Sequence, residues 1–292
     1  MRKLCIIIPI WGRGWLSNHL LNYYHQFDNS RTEYMIVVVG SEGRKSERLA
    51  RGLTYIERGN EPLDRKYDEG FLYCKQFNPD AVTLVGSDDF ITQNYFEWSL
   101  DQIARGTHYV GILDFFLADI RSNQIHYWGG YSQAASNSWT GAEKGNTIGA
   151  ARVFSKFILD KIEWAPFVTE GKGHFHWYQD DEGYADDQRA ENKIESAISK
   201  LPTPTSPPPL QIKTTMENVG ENGCRYWAVK TGEEINPTTS FFLEPENLVN
   251  TTTREQFSLF FSDTGFPSAL MGDSGGIYPD GTAIWTGVDW VK

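Results

Sequence analysis

The chain is short of cysteine, of excess positive charge and of long apolar runs. Its three cysteines, Cys5, Cys74 and Cys224, are odd in number and widely spaced. They match neither a disulfide framework nor a zinc pattern, which points to a reducing compartment. Lys and Arg total 27 against 38 Asp and Glu, a formal net charge of -11. No basic patch stands out, which argues against a protein whose main task is holding long nucleic acid. Nucleotides are a different matter, because a metal can carry their phosphates. The apolar run at residues 4–10 is too short for a membrane span. Trp11-Gly12-Arg13-Gly14 follows it instead of a small-residue cleavage site, so it reads as a first strand and not as a leader. No later run is long enough to span a bilayer, and the expectation is a cytoplasmic protein without a transmembrane segment.

What is present is ordinary globular material. With 292 residues, 40% of them hydrophobic, the chain can bury a core as one large or two small domains. The 14% aromatic content is more often core than sugar-stacking surface. Strand and helix patterns alternate from residue 4 to residue 120. Apolar runs at 4–10, 34–39, 53–57, 81–85 and 109–118 read as strands. Residues 15–27, 44–51, 63–77 and 94–103 read as helices. That alternation predicts a mostly parallel sheet with helices on both faces. After residue 120 the pattern loosens. Residues 123–131 suggest a hairpin strand, 132–149 a polar loop, 151–162 a helix, 168–187 an acidic, aromatic stretch and 188–200 a polar helix. Five prolines between Pro202 and Pro209 form a semi-rigid connector. Beyond it, one helix is expected around 253–261.

The most informative segment is Ala81-Val82-Thr83-Leu84-Val85-Gly86-Ser87-Asp88-Asp89-Phe90. A buried strand ends in two carboxylates, which is costly unless something there needs negative charge. In open α/β sheets, ligands bind beyond the carboxyl ends of the strands. A divalent cation carrying a phosphorylated ligand accounts for the acids. The competing reading is a turn or a helix N-cap.

Four segments, taken in order, resemble the GT-A fold glycosyltransferases, in particular the inverting family-two group. They are Ile6-Ile7-Ile8-Pro9-Ile10-Trp11-Gly12-Arg13, Val37-Val38-Val39-Gly40-Ser41-Glu42, residues 60–70 with Arg65 and Lys66, and Gly86-Ser87-Asp88-Asp89. The resemblance covers residues 3–195. It implies an α/β, GT-A-like fold: a mostly parallel twisted sheet flanked by helices, with an irregular C-terminal lobe. Residues 1–200 would be the catalytic domain, 201–209 the connector and 210–292 a lobe without a motif. It further implies a nucleotide-diphosphate sugar as donor and an acceptor hydroxyl. Pro9, Trp11, Arg13, Glu42, Lys66 and Ser87 would contact the donor. Asp88 and Asp89 would bind Mn2+ or Mg2+. The departure from the family is Gly86, which stands where the first acid of the metal motif is usual.

An inverting transferase also needs a carboxylate to take the acceptor proton. In the resembled family it sits at a late helix N-terminus, which matches Asp187, with Asp186 as the alternative and Asp180/Asp181 as a second pair. The plain reading is an acidic first turn complementing the helix dipole. His174 and His176 fall on one side of a strand if they lie in one. His176 is a candidate late metal ligand by the resemblance, and a surface histidine otherwise. Residues 149–155 would lie under the donor sugar, or simply enter a helix. Gly272-Asp273-Ser274-Gly275-Gly276 matches the segment around a serine-protease nucleophile. It lies too near the C-terminus for a second barrel, and Asp-Ser-Gly-Gly is also ordinary turn chemistry. Two other readings stay open: a nucleotidyltransferase, for which Gly12-Arg13-Gly14 is a faint signal, and a non-catalytic carbohydrate-binding module.

Overall fold

The structure is a computed structural model and describes residues 1–120, 122–129, 149, 151–167, 196, 213–214, 224–231, 249–266, 284–285 and 290–291. Its first strand, β1 (Arg2–Ile10), is buried from Leu4 to Ile10. Leu4, Ile6, Ile8 and Ile10 face one apolar cluster, while Cys5 and Ile7 face the other. β2 (Thr32–Gly40) repeats this, with Ile36 and Val38 on the first side and Val37 and Val39 on the second. Burial on both faces is why these strands read as unbroken apolar runs, and it is the mark of a parallel sheet covered twice.

The main sheet also takes in β3 (Thr54–Glu57), β4 (Ala81–Leu84), β6 (Tyr109–Gly111), β9 (Val153–Ser155) and β10 (Lys213–Thr214). Its order is β10-β6-β9-β4-β1-β2-β3. β4, β1, β2 and β3 run parallel, whereas β9 is antiparallel to both β4 and β6. The mostly parallel sheet expected from the alternation is therefore present. Helices α1 (Gly14–His25), α2 (Arg44–Leu49), α3 (Leu63–Cys74) and α4 (Gln93–Ala104) connect its strands. α1 and α4 pack on the first face through Leu16, Leu20, Tyr95 and Phe96, and α3 on the second through Phe71 and Cys74.

Pro9 lies inside β1 without breaking the sheet. Ile7 is directed to β4, since its carbonyl accepts from Val85 N at 2.9 Å. Pro9, two residues on, points the same way, but β1–β4 pairing ends at Ile7 and Leu84. The missing N–H falls where no strand remains to use it.

A second sheet has the order β12-β8-β7-β11-β5 and comprises β5 (Asp89–Ile91), β7 (Phe115–Asp119), β8 (Gln124–Trp128), β11 (Tyr226–Lys230) and β12 (Val249–Asn250). β5 begins at the second of the paired acids. β11 lies between β5 and β7, antiparallel to the first and parallel to the second. Thus part of the stretch expected as a separate C-terminal lobe is an interior strand beside the paired acids. β11 is tied to α6 (Arg254–Thr264) by Arg225, whose Nη2 lies 2.6 Å from Asp263 Oδ1 and whose Nε also reaches that carboxylate. Trp227 Nε1 donates to Asp263 at 2.9 Å. β13 (Ile284–Trp285) and β14 (Trp290–Val291) form a separate two-stranded ribbon.

Two expectations are corrected here. Residues 151–162 are not one helix but β9 followed by α5 (Lys156–Lys161), with Ser155 capping α5 by accepting from Ile158 N. Val153 and Phe154 are both fully buried, one on each face of the sheet, so a two-sided strand imitated a helical stripe. Residues 109–118 are not one strand, because the chain changes sheets between Gly111 and Phe115. Buried Asp114 sits at that break, accepting from the Tyr127 hydroxyl at 2.8 Å. The strand expected at 123–131 is β8, and the helix expected at 253–261 is α6. Residues 132–148, 168–187 and 201–209 lie outside the described residues. The three cysteines are free and buried, and among the described residues no helix is long and apolar enough to cross a membrane.

Gly70 of α3 sits tightly against Ile7 of β1 and Val39 of β2. A Cβ there would lie 2.7 Å from Ile7 Cγ2 and 3.2 Å from Val39 Cγ2. Ala normally stabilises a helix interior relative to Gly by about 1 kcal/mol. At Gly70 we expect the reverse, since overpacking a core costs about 1–3 kcal/mol. Gly70→Ala should lower the midpoint of denaturant unfolding with an unchanged slope. A raised midpoint would show that α3 has room to move off the sheet.

Candidate functional site

β1, β2 and β4 are neighbours and end at the same edge of the main sheet, so the loops that leave them share one rim. From β1 come Trp11, Gly12 and Arg13. Gly12 has φ 78, a left-handed conformation that suits glycine. That turn directs its N–H to Glu42 Oε2 at 2.9 Å, which ties the loop after β1 to the loop after β2. Lys45 closes on the other Glu42 oxygen at 2.7 Å. Trp11 projects outward, 41% exposed. Beneath the rim, Lys66 of α3 is 1% exposed and donates to the Ile10 carbonyl at 3.0 Å and Asn60 Oδ1 at 3.1 Å. Burial pushes its ammonium down to about 8, against the raising influence of Glu57 and Glu42.

The loop after β4 brings the two acids to the rim in opposite environments. Asp88 Oδ2 meets two cations, Arg13 Nη1 at 3.0 Å and Lys230 Nζ at 2.8 Å. Arg13 Nη2 also donates to Ser87 Oγ at 2.7 Å. Burial disfavours the Asp88 charge, but Lys230 and Arg13 outweigh it and hold the carboxyl well below the usual range. Burial likewise opposes the Lys230 charge, and Asp88 overrides it, so the ammonium titrates above its ordinary value.

Asp89 turns the other way. Its Oδ1 accepts from the Tyr226 hydroxyl at 2.7 Å and its Oδ2 from the Gly86 N–H at 2.9 Å. Its carbonyl accepts from the Tyr24 hydroxyl at 2.7 Å. Burial, and then the neighbouring Asp88 charge, push its carboxyl up to about 6. This fold-back explains Gly86. A Cβ on residue 86 would lie 2.5 Å from Asp89 Oδ2, so no acid can stand there while Asp89 closes the loop.

A divalent ion at the acids would need ionised oxygens free to coordinate it. The described residues do not fit that need. Asp88 is already neutralised by two cations, Asp89 is committed to Tyr226 and Gly86, and no three His, Cys, Asp or Glu side chains cluster among the described residues.

Of the residues singled out in the sequence, Trp11, Arg13, Glu42, Ser87 and Asp88 come together at this rim. Pro9 is buried in β1, and Lys66 supports the rim from below. His176, Asp186, Asp187 and the pair Asp180/Asp181 lie outside the described residues, as do His174 and residues 272–276. Near the expected donor-sugar position, Arg152 is 1% exposed and lies 6.0 Å from the Tyr109 ring centroid. Sequence reasoning missed Lys230, Tyr226 and Tyr24. Tyr226-Trp227-Ala228-Val229-Lys230 alternates as a strand does, but nothing local indicates that it lies beside Asp88.

The raised carboxyl of Asp89 gives a signed expectation. Between the ordinary 3.8 and about 6, the folded chain holds a proton that the unfolded chain has lost. Stability from this group is therefore full below the lower value and is lost as pH rises through the upper one. In Asp89→Asn the amide oxygen can accept from Gly86 and the amide nitrogen can donate to the Tyr226 oxygen, with no titration. The variant should match the parent near pH 4.5 and exceed it near pH 7.5 by on the order of 2 kcal/mol. Chemical unfolding at the two pH values measures this, and equal destabilisation at both would refute it.

No protein-family model matches the chain, and no curated protein matches it. Among solved structures it is similar to S. aureus TarS 1-349, at 16% identity and a TM-score of 0.43, over 66% of this chain and 55% of that one. It is similar to the mannosyltransferase PcManGT from Pyrobaculum calidifontis in complex with GDP-Man and Mn2+, at 16% identity and a TM-score of 0.43, over 66% and 52%. It is also similar to a cytidylyltransferase from Leptospira borgpetersenii, at 13% identity and a TM-score of 0.32, over 56% and 64%. The chain spans about half the length of the first two structures. Likenesses this distant carry no functional assignment.

Proposed function

We propose that this chain is a glycosyltransferase that moves a sugar from a nucleotide-diphosphate donor to an acceptor hydroxyl. One observation carries the reading. The carboxyl ends of three adjacent parallel strands gather an exposed aromatic ring (Trp11), a braced carboxylate (Glu42) and the Arg13–Asp88 pair at one rim, where Lys230 of β11 joins Asp88 as a second cation. This is the place in an open α/β sheet where nucleotides bind. The mixture suits such a donor: a planar ring for the base, an acid for hydroxyls, and cations for the diphosphate.

The reaction is a displacement at the anomeric carbon with inversion. The acceptor oxygen gives its proton to a carboxylate and bonds to the anomeric carbon. The bond from that carbon to the diphosphate oxygen breaks, and the diphosphate leaves with the electron pair. Asp187 is the proposed base and Asp186 the alternative. Mn2+ or Mg2+ was the expected partner of Asp88 and Asp89. This reading gives those two acids no metal, because Asp88 Oδ2 already meets two cations and both Asp89 oxygens accept hydrogen bonds.

A thermal-shift panel of uridine, guanosine, cytidine and adenosine diphosphates and their sugars tests the donor. We expect one base to raise Tm and the others to leave it unchanged. Absence of a shift with every member would overturn the reading. With the donor known, Asp187→Asn should lower the transfer rate by about 10²–10⁴ while changing donor affinity less than threefold. If that loss falls on Asp186→Asn instead, the alternative base is correct. If neither variant loses rate, the base lies elsewhere.

A further inference from the structure

We propose that Arg13 and Lys230 bind the donor diphosphate directly, with Asp88 as their resident counter-anion, so that donor binding needs no divalent metal. This rests on the nucleotide-sugar reading above and specifies how its most highly charged part is held.

Three observations support it. First, both cations converge on a single oxygen, Asp88 Oδ2, from opposite ends of the chain. An anion arriving at the rim therefore meets two positive charges already gathered at one point. The side chains of Arg13, Lys230 and Asp88 are 16%, 15% and 13% exposed, so the cluster is shielded yet still opens to the rim.

Second, the donors are arranged for more than Asp88. Arg13 directs Nη1 to Asp88 and Nη2 to Ser87, which orients the planar guanidinium. An ammonium has three N–H donors, and the Lys230 side chain spends one, on Asp88, among the described residues. Two remain for phosphoryl oxygens without breaking the Asp88 pair.

Third, Lys230 is held in place by structure that Asp88 does not require for its own sake. Val229 N donates to the Asp88 carbonyl at 2.8 Å, which fixes β11 against the acid loop. The Arg225–Asp263 pair and the Trp227–Asp263 bond then fix β11 to α6. A cation so positioned meets charge developing on a leaving diphosphate with little reorganisation.

The test uses the full chain and the nucleoside diphosphate that gives the thermal shift described above. Its affinity is measured by calorimetry in excess chelator and again with Mn2+. We expect Kd in chelator to lie within threefold of Kd with Mn2+. Lys230→Met should weaken Kd in chelator at least tenfold, and Lys230→Arg should restore most of it. Binding that appears only with Mn2+, or binding in chelator that Lys230→Met leaves unchanged, would overturn this proposal while leaving the transferase reading intact. Failure of every nucleoside diphosphate to bind under both conditions would overturn the transferase reading itself.

Discussion

Two adjacent buried carboxylates cannot both be ionised in one environment, and the site is organised around that constraint. The loop after β4 resolves it by sending the side chains to different partners. Asp88 takes two full positive charges, and Asp89 takes a phenol and a backbone amide. Each choice reinforces the other. The Asp88 charge raises its neighbour's carboxyl, and wherever Asp89 keeps its proton a repulsion that would weaken Asp88 is removed. Gly86 follows from the same arrangement, because the fold-back of Asp89 occupies the space a side chain would need.

The constraint also explains the second sheet. β5 starts at Asp89, and β11 is the strand that supplies a partner to each acid: Tyr226 to Asp89 and Lys230 to Asp88. Their side chains lie on the same face of β11, four residues apart, as the two-residue period of a strand requires. Swapping them would set the ammonium against the acid whose carboxyl is raised and a phenol against the one held low. The register of β11 on β5 thus has an electrostatic basis, while its register on β7 has an apolar one, in which Trp227 stacks on Phe116 at 4.6 Å between ring centroids.

The fold of the first 120 residues was largely legible because its elements are long and their patterns local. β1 and β2 are buried on both faces and bounded by polar turns, and α1, α3 and α4 each bury an apolar stripe. The gathering of Trp11, Arg13, Glu42, Ser87 and Asp88 was legible for a related reason. Each follows a strand, and adjacent parallel strands end together. Legibility failed where two-sided burial mimicked a helix, at Val153 and Phe154, and where a strand changed sheets, at Asp114. It also failed at Lys230. A single lysine at the end of a short strand 142 residues from its partner leaves no local signature. The same distance hid the meaning of Gly86, which read as a lost acid when only its neighbours in sequence were considered.

The relation between Asp88 and Lys230 bears on how such a site stays ready. An ammonium removed from water holds its proton less tightly, as at Lys66 below the rim, where burial brings it down to about 8. Lys230 faces the same penalty with a carboxylate 2.8 Å away, and its ammonium is instead held above the ordinary value. The two lysines differ in their nearest oxygens. Lys66 is met by a carbonyl and an amide, which satisfy its donors without supplying charge. Asp88 supplies the charge that keeps Lys230 ionised before a ligand arrives. An arriving anion then meets a charge already in place and need not recruit a proton or displace a bound ion. On this argument the acid at the end of β4 remains essential, but its role is to hold a cation of the chain itself.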